Sequence, residues 1–295
     1  MTEKERRILG FGLIALGYLA LASHAEAAPI QGQTPRTKFF LGTALRSFVK
    51  VSHAANGNAE RHVVQIPTIL NYNLATDAVV TLVVPYVIKE FRLRDKTHQD
   101  VRGVGDIRII GKYRFYRDDF PRGSKQMAFS AGLELPTGST TKKKDGVKLP
   151  RPRQLGSGGV DPLFGFAGGW ISAYHAVEGG VQFKYNSRHD GFRFGPVLNY
   201  DLAYAYSIYP KWPIENAQLN LLLEFNGEHR ERNKSGSSKV RASGGDTIFL
   251  SPGIQFILFD NALVETSFQF PVLDQVNGKQ LYQDYRVLFG FRILF

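Results

Sequence analysis

The sequence predicts an all-β protein: a transmembrane antiparallel β-barrel of the bacterial outer membrane, with about twelve strands, short periplasmic turns and long extracellular loops. Three observations predict it. The last eleven residues alternate strictly, the first 28 read as an export leader, and twelve alternating segments between them are joined by links of two lengths.

In the C-terminal segment 285–295, Tyr285, Val287, Phe289, Phe291, Ile293 and Phe295 fall on one side of a period-two pattern. Arg286, Leu288, Gly290 and Arg292 fall on the other. Such alternation means an extended strand with one apolar face. That face is unbroken and ends on Phe295. A closing barrel strand needs this pattern, because one face meets lipid and the other the lumen. Phe289, Phe291, Ile293 and Phe295 also resemble the signal read by the bacterial barrel-assembly machinery, an expected partner. The competing reading is a C-terminal strand of a soluble sandwich.

At the other end, Lys4, Arg6 and Arg7 precede the uncharged apolar run 8–22. Small-residue cleavage sites follow, near Ala25 to Ala28. This is the layout of a secretory signal peptide, assigned to residues 1–28, with residues 29–295 as one barrel domain. No later stretch has the ~18 apolar residues of a membrane helix. The chain has no cysteine, which excludes disulfides, a lipid-anchored cysteine and cysteine-ligated metals.

Composition agrees. Phe (22), Tyr (13) and Gly (30) are abundant and Met (2) is scarce, which suits strands and turns better than helices. A mean hydropathy of −0.19 would suit a soluble protein, but in a barrel the lumen residues cancel the lipid-facing ones. The net charge of +11 points to lipopolysaccharide phosphates or anionic solutes as partners. Nucleic acid is excluded as a partner by the predicted export.

The alternating segments are 39–49, 61–74, 78–92, 107–115, 127–135, 164–171, 177–185, 194–206, 219–225, 248–258, 262–270 and 285–295. Links at 73–77, 117–124, 172–173 and 259–262 are short; 208–217 is longer and holds two prolines. Links at 51–60, 94–102, 136–159, 187–193, 230–245 and 272–283 are longer and polar. Links alternating in this way are those of a single-chain outer-membrane barrel, and an even count puts both termini in the periplasm.

The polar face of these strands is charged. Arg46, Arg108, Lys112, Arg114, Glu134, Glu178, Lys184, Asp201, Glu224, Glu265, Arg286 and Arg292 all alternate with apolar residues. Turned to lipid, a Lys or Arg would cost about 2–4 kcal/mol at the midplane, so these residues are predicted to face inward as pore-lining candidates. They either line a wet channel for small solutes or pair and plug the lumen. Arg108, Lys112 and Arg114 are predicted to form a basic wall, facing an acidic wall of Glu178, Asp201, Glu224 and Glu265.

Three short motifs stand in order: Gly103-Val-Gly-Asp106 before an aromatic-basic strand, Glu134-Leu-Pro-Thr-Gly138 at a strand end, and Leu155-Gly-Ser-Gly158 closing the longest loop. Together they resemble the outer-membrane transporters named for the meta-pathway of phenol degradation. The resemblance covers roughly 103–186. It implies uptake of small, often hydrophobic or aromatic, compounds. The long loop carries Lys142, Lys143, Lys144, Lys148, Arg151 and Arg153, read as a solvated or lipopolysaccharide-binding surface.

Catalysis finds little support. Asn186, Ser187 and His189 match the residue types of an outer-membrane lipid hydrolase, but they sit where a strand enters a loop. Gly103-Val-Gly-Asp106 is no nucleotide motif, since no helix follows. The seven histidines show no paired metal-ligand spacing, and no cofactor is predicted. A plugged barrel with a structural, adhesive or receptor role is the alternative to a channel, and a soluble periplasmic β-protein the third reading.

Overall fold

A computed structural model gives the fold and describes residues 28–37, 42–93, 98–208, 217–258 and 261–295. The expected leader lies outside these residues, apart from Ala28, as do Phe39 and Leu41 of the first expected strand.

The chain forms one closed antiparallel sheet. Its strands are β1 (Thr43–Asn56), β2 (Ala59–Ala75), β3 (Ala78–Leu93), β4 (His98–Val104), β5 (Ile107–Phe120), β6 (Gly123–Leu135), β7 (Asp161–Ser172), β8 (His175–Lys184), β9 (Val197–Ile208), β10 (Gln218–Arg230), β11 (Gly245–Leu258), β12 (Ala262–Val276) and β13 (Tyr282–Leu294). Pairing of β1 with both β2 and β13 closes the barrel. β4 and β5 share one place beside β3: β4 pairs with 86–92 and β5 with 78–83. The wall is therefore twelve strands around, as the sequence predicts, with one strand broken at Gly105-Asp106. The described residues include no helix long and apolar enough to cross a membrane.

Parity sorts the two faces. On β13, Phe289, Phe291, Ile293 and Phe295 are exposed on the outside, Phe295 at 68%. Leu288 and Leu294, of the opposite parity, are buried. Along β10, Leu221, Leu223 and Phe225 are exposed while Asn220, Leu222 and Glu224 are buried. The outer apolar belt carries aromatic rings near the short-turn rim, where Phe120 stacks on Trp170 at 6.5 Å. Tyr185 and Tyr282 lie near the opposite rim, as in an interfacial girdle. The terminal residue closes the seam: Thr43 N donates to Phe295 O (2.7 Å), and Phe295 N to Thr43 O (3.0 Å).

Three expected long links are shorter than the sequence suggested, and one of them, 272–283, is reduced to 277–281 between β12 and β13. Strands β1 and β2 run on to Asn56 and from Ala59, so link 51–60 is a tight turn at Gly57-Asn58. Link 94–102 loses 98–102 to β4. Segments 51–60 and 94–102 are polar because they rise above the apolar belt as strands, and polarity alone could not separate strand from loop there. The expected strand 194–206 begins at Val197 as β9, and Phe192–Arg193 just ahead of it pairs with Lys234–Ser235 in a small sheet of the loops.

Phe295→Asp would put a carboxylate on the outer belt beside the seam. The amount of heat-modifiable barrel in the outer membrane is expected to fall at least several-fold. Lys144→Asp, a larger charge change on the exposed loop hairpin, should leave it unchanged. Equal yields on SDS gels of unboiled membranes would show that the terminal ring has no part in assembly.

Candidate functional site

The lumen is where the charged side chains meet. Glu178 (β8), Asp201 (β9), Glu224 (β10) and Glu265 (β12) point inward from one arc of the wall, and Glu178, Glu224 and Glu265 are fully buried. Arg46 and Lys50 (β1), Arg286 and Arg292 (β13) and Lys112 (β5) come from the remaining arc. Of the basic wall expected from the sequence, Lys112 alone faces the interior segment: Arg108 lies 4.0 Å from Glu134 and Arg114 turns to Asp77. What lies between the two arcs was not foreseen.

Residues 28–37, which belong to no strand, run through the barrel interior. Their main-chain N–H groups face the acidic arc. Ile30 N (2.6 Å), Gln31 N (3.1 Å) and Gly32 N (3.0 Å) donate to the Glu224 carboxylate. Gln33 N donates to Asp201 Oδ1 at 2.7 Å. Thr34 Oγ1 and the Arg36 guanidinium donate to Glu178, both at 2.7 Å. Their carbonyls face the basic arc: Ile30 O accepts from Arg46 Nη2 (2.6 Å), and Thr34 O and Arg36 O accept from Lys112 Nζ. Lys50 Nζ donates to the Gln31 side chain at 3.0 Å.

The wall is shaped for this segment. A Cβ on Gly180 would come within 2.7 Å of Gln33 Cβ, and one on Gly253 within 2.6 Å of Ile30 Cδ1. At Gly180 a side chain would push the segment off the wall, while at Gly253 it would displace the Ile30 terminal methyl.

Other pore-lining candidates serve elsewhere. Arg114 is buried and turns to the rim, where it binds Asp77 Oδ1 at 2.6 Å and holds that turn carboxyl below its ordinary pKa. It therefore fastens the 76–77 turn instead of extending a basic ladder. Glu134 pairs with Lys184 (2.9 Å), with Arg108 4.0 Å away. Arg46 (2.5 Å) and Arg292 (3.6 Å) flank Glu265. Arg286 lies over the Phe249 ring, its Cζ 4.1 Å from the centroid.

At the long-loop end the three motifs form a single latch. Asp106 accepts from Gly138 N (2.8 Å) and from Ser157 N (2.6 Å). Thr137 Oγ1 donates to Gly105 O (3.0 Å) and accepts from Ile107 N (2.9 Å). Gly138 and Gly156 stack backbone to backbone, and a Cβ on Gly138 would come within 2.8 Å of Gly156 Cα. The break between β4 and β5 is thus where Asp106 reaches across to hold both ends of the long loop. Leu149 and Leu155 of that loop fold inward onto Val87 and Val101.

The six basic loop residues divide. Lys143, Lys144 and Lys148 are exposed on a small hairpin (Lys143–Lys144 with Val147–Lys148). Arg153 turns inward, to the Gln99 side chain and the Phe91 ring. Arg151 donates to Ser157 O, and Lys142 N to the buried Gln154.

The family described as "Putative MetA-pathway of phenol degradation" matches residues 40–271. The chain belongs to this family. Its latch is built from the motifs that first suggested the family. None of the curated protein sequences matches the chain. Among solved structures it resembles the COG4313 outer membrane channel from Pseudomonas putida F1, with a TM-score of 0.66 at 13% identity, covering 92% of this chain and 100% of that one. The β domain of the Bordetella autotransporter BrkA follows, at 0.49 and 11%, covering 86% and 99%. These likenesses concern the fold.

Within this family member the hydrolase-type residues do not converge. Ser187 Oγ donates to Val160 O, Asn186 Nδ2 to Gly195 O, and His189 Nε2 lies 3.3 Å from Asp190. Sequence reasoning missed the interior segment because residues 28–37 have no periodicity. The signal was chemical: carboxylates on three successive inward strands need donors, and the wall supplies too few.

Each hydrogen bond from the segment to a charged carboxylate is worth about 1.5–3 kcal/mol. Glu224→Ala removes three acceptor contacts and should release the segment, exposing the Arg36–Thr37 bond to trypsin in an intact barrel. A cleavage rate equal to the parent's would mean that other contacts hold the segment. Asp106→Ala should likewise raise tryptic cutting at Lys142–Lys144 by about tenfold or more, with heat modifiability kept. An unchanged rate would remove Asp106 from its role as latch.

Proposed function

We propose that this protein is an outer-membrane channel for passive uptake of small molecules, with its own N-terminal segment setting the conducting path. One observation carries the reading: the interior segment is held by hydrogen bonds to wall side chains and not by strand pairing. Such a tether can be displaced without opening the barrel. The inward arc of polar and charged groups supports passage of water-accompanied solutes. The likeness to a solved outer-membrane channel supports the barrel that this role needs. Uptake of hydrophobic or aromatic compounds is the finer reading and rests on the description of the family. The exposed lysines of the loop hairpin suit contact with lipopolysaccharide phosphates.

A plugged barrel is the second reading, favoured by the buried carboxylates that the segment satisfies. Single-channel recording in planar bilayers separates the two. The full chain should conduct, and a variant lacking 28–37 behind its leader should conduct several-fold more. Silence from the parent together with large pores from the deletion would make the segment a permanent plug. Silence from both, in barrels that fold, would end the channel reading. Uptake of phenol into cells with and without the protein tests the substrate class, and equal rates would remove the aromatic reading.

A further inference from the structure

A second cluster lies on the outer wall, where the β1–β2 hairpin rises toward the long-loop rim. Residues of odd number on β1 and even number on β2 face outward there. His53 and His62 are direct cross-strand partners, and their rings lie 4.3 Å apart. Glu60 is two residues before His62, so it projects from the same face. One donor atom from each of His53, Glu60 and His62 lies within 4.8 Å of the others. Glu60 is exposed and has no hydrogen bond or ion pair among the described residues.

The neighbouring strand supports the arrangement. The β1–β13 register slips between His53 and Ala54: His53 faces Tyr285 and Ala54 faces Gln283, leaving Asp284 unpaired. A bulge of this kind re-aims a side chain. Here Asp284 Oδ2 reaches 2.6 Å from His53 Nδ1. The Tyr285 ring stacks against the other side, centroids 5.7 Å apart. A carboxylate on Nδ1 fixes the tautomer and leaves the lone pair on Nε2, which is how metal-binding histidines are commonly held.

We propose that His53, Glu60 and His62 bind a transition-metal dication of the zinc class, with Asp284 as the positioning residue for His53. Two imidazoles and one carboxylate form a donor set for Zn2+, Ni2+ or Cu2+ and not for Mg2+ or Ca2+, which take all-oxygen shells. Donors around a tetrahedral Zn2+ stand about 3.3 Å apart, so the trio must close by up to about 1.5 Å. Exposed Glu60 and half-buried His62 can do so by side-chain rotation. The fourth position would be water. Bound metal would tie the first hairpin together next to the seam that closes the barrel, independently of conduction through the lumen.

The test uses full-length protein purified in detergent without a histidine tag and stripped with EDTA. Calorimetric titration with ZnCl2 should show one equivalent bound, and MgCl2 none. His62→Asn should weaken Zn2+ binding at least tenfold, and Asp284→Asn by about 10–100-fold if it acts through His53. One equivalent of Cu2+ on the unmutated protein should give an electron paramagnetic resonance spectrum with two equatorial imidazole nitrogens, a readout that needs no variant to fold. Absence of stoichiometric Zn2+ uptake, a His62→Asn variant that binds like the parent, or a Cu2+ spectrum with fewer than two nitrogens would each overturn the proposal.

Discussion

A closed sheet of twelve strands about 4.8 Å apart and tilted by about 40° has a backbone diameter of roughly 24 Å. Acidic and basic side chains reaching in from opposite walls still leave a gap of roughly 12 Å. Across that gap, in water, two unit charges attract by only about 0.3 kcal/mol. Arcs of charge that meet only at one edge, where Arg46 and Arg292 flank Glu265, cannot satisfy one another across the rest of such a barrel. They need something between them that offers donors to one side and acceptors to the other. A peptide segment does this with its own N–H and C=O groups, and residues 28–37 do so here, with Glu224 and Asp201 on one side and Arg46 and Lys112 on the other. Much else in the interior follows from that exchange, including the small residues Gly180 and Gly253 where the segment leans on the wall.

The same principle, a carboxylate caught by main-chain N–H groups, recurs at the other end of the barrel. Asp106 does for the long loop what Glu224 does for the N-terminal segment. Both acids sit on the wall, and both hold non-strand chain that would otherwise leave buried N–H groups unpaired, at about 1–3 kcal/mol each. The barrel is thus a rigid frame carrying two tethered pieces, one toward each mouth. In each tether one acid gathers several main-chain donors, Glu224 three and Asp106 two, so a substitution there loosens the piece without touching the strand pairing of the frame.

The fold was legible because the strand period is two and the two faces meet different solvents. The apolar positions of β13 could be assigned outward from the sequence, and the exposed Phe289, Phe291 and Phe295 bear that out. Strand ends were less legible where β1, β2 and β4 rise past the apolar belt, because the outward face there turns polar. The loop motifs could be recognised singly, but their convergence on Asp106 depends on the break between β4 and β5, which local pattern does not encode. Arg114 shows the same limit. Its parity gave the inward direction, yet not its turn toward Asp77.

Residues 28–37 were illegible for a different reason. A segment that is neither strand nor helix has no period, and its place is set by partners from β1, β5, β8, β9, β10 and β11. Those partners, however, were visible as a mismatch. Inward acids on β8, β9 and β10 had no basic residue on an adjacent strand close enough to answer all three. In a soluble core such a surplus would be expelled to the surface or neutralised by protonation. A barrel cannot turn these positions outward, because the outer face belongs to lipid and parity forbids it. An uncompensated run of charge on the inward parity of consecutive strands is therefore a reason to expect either water or a further piece of chain inside, and here the chain supplies the piece from just ahead of its first strand.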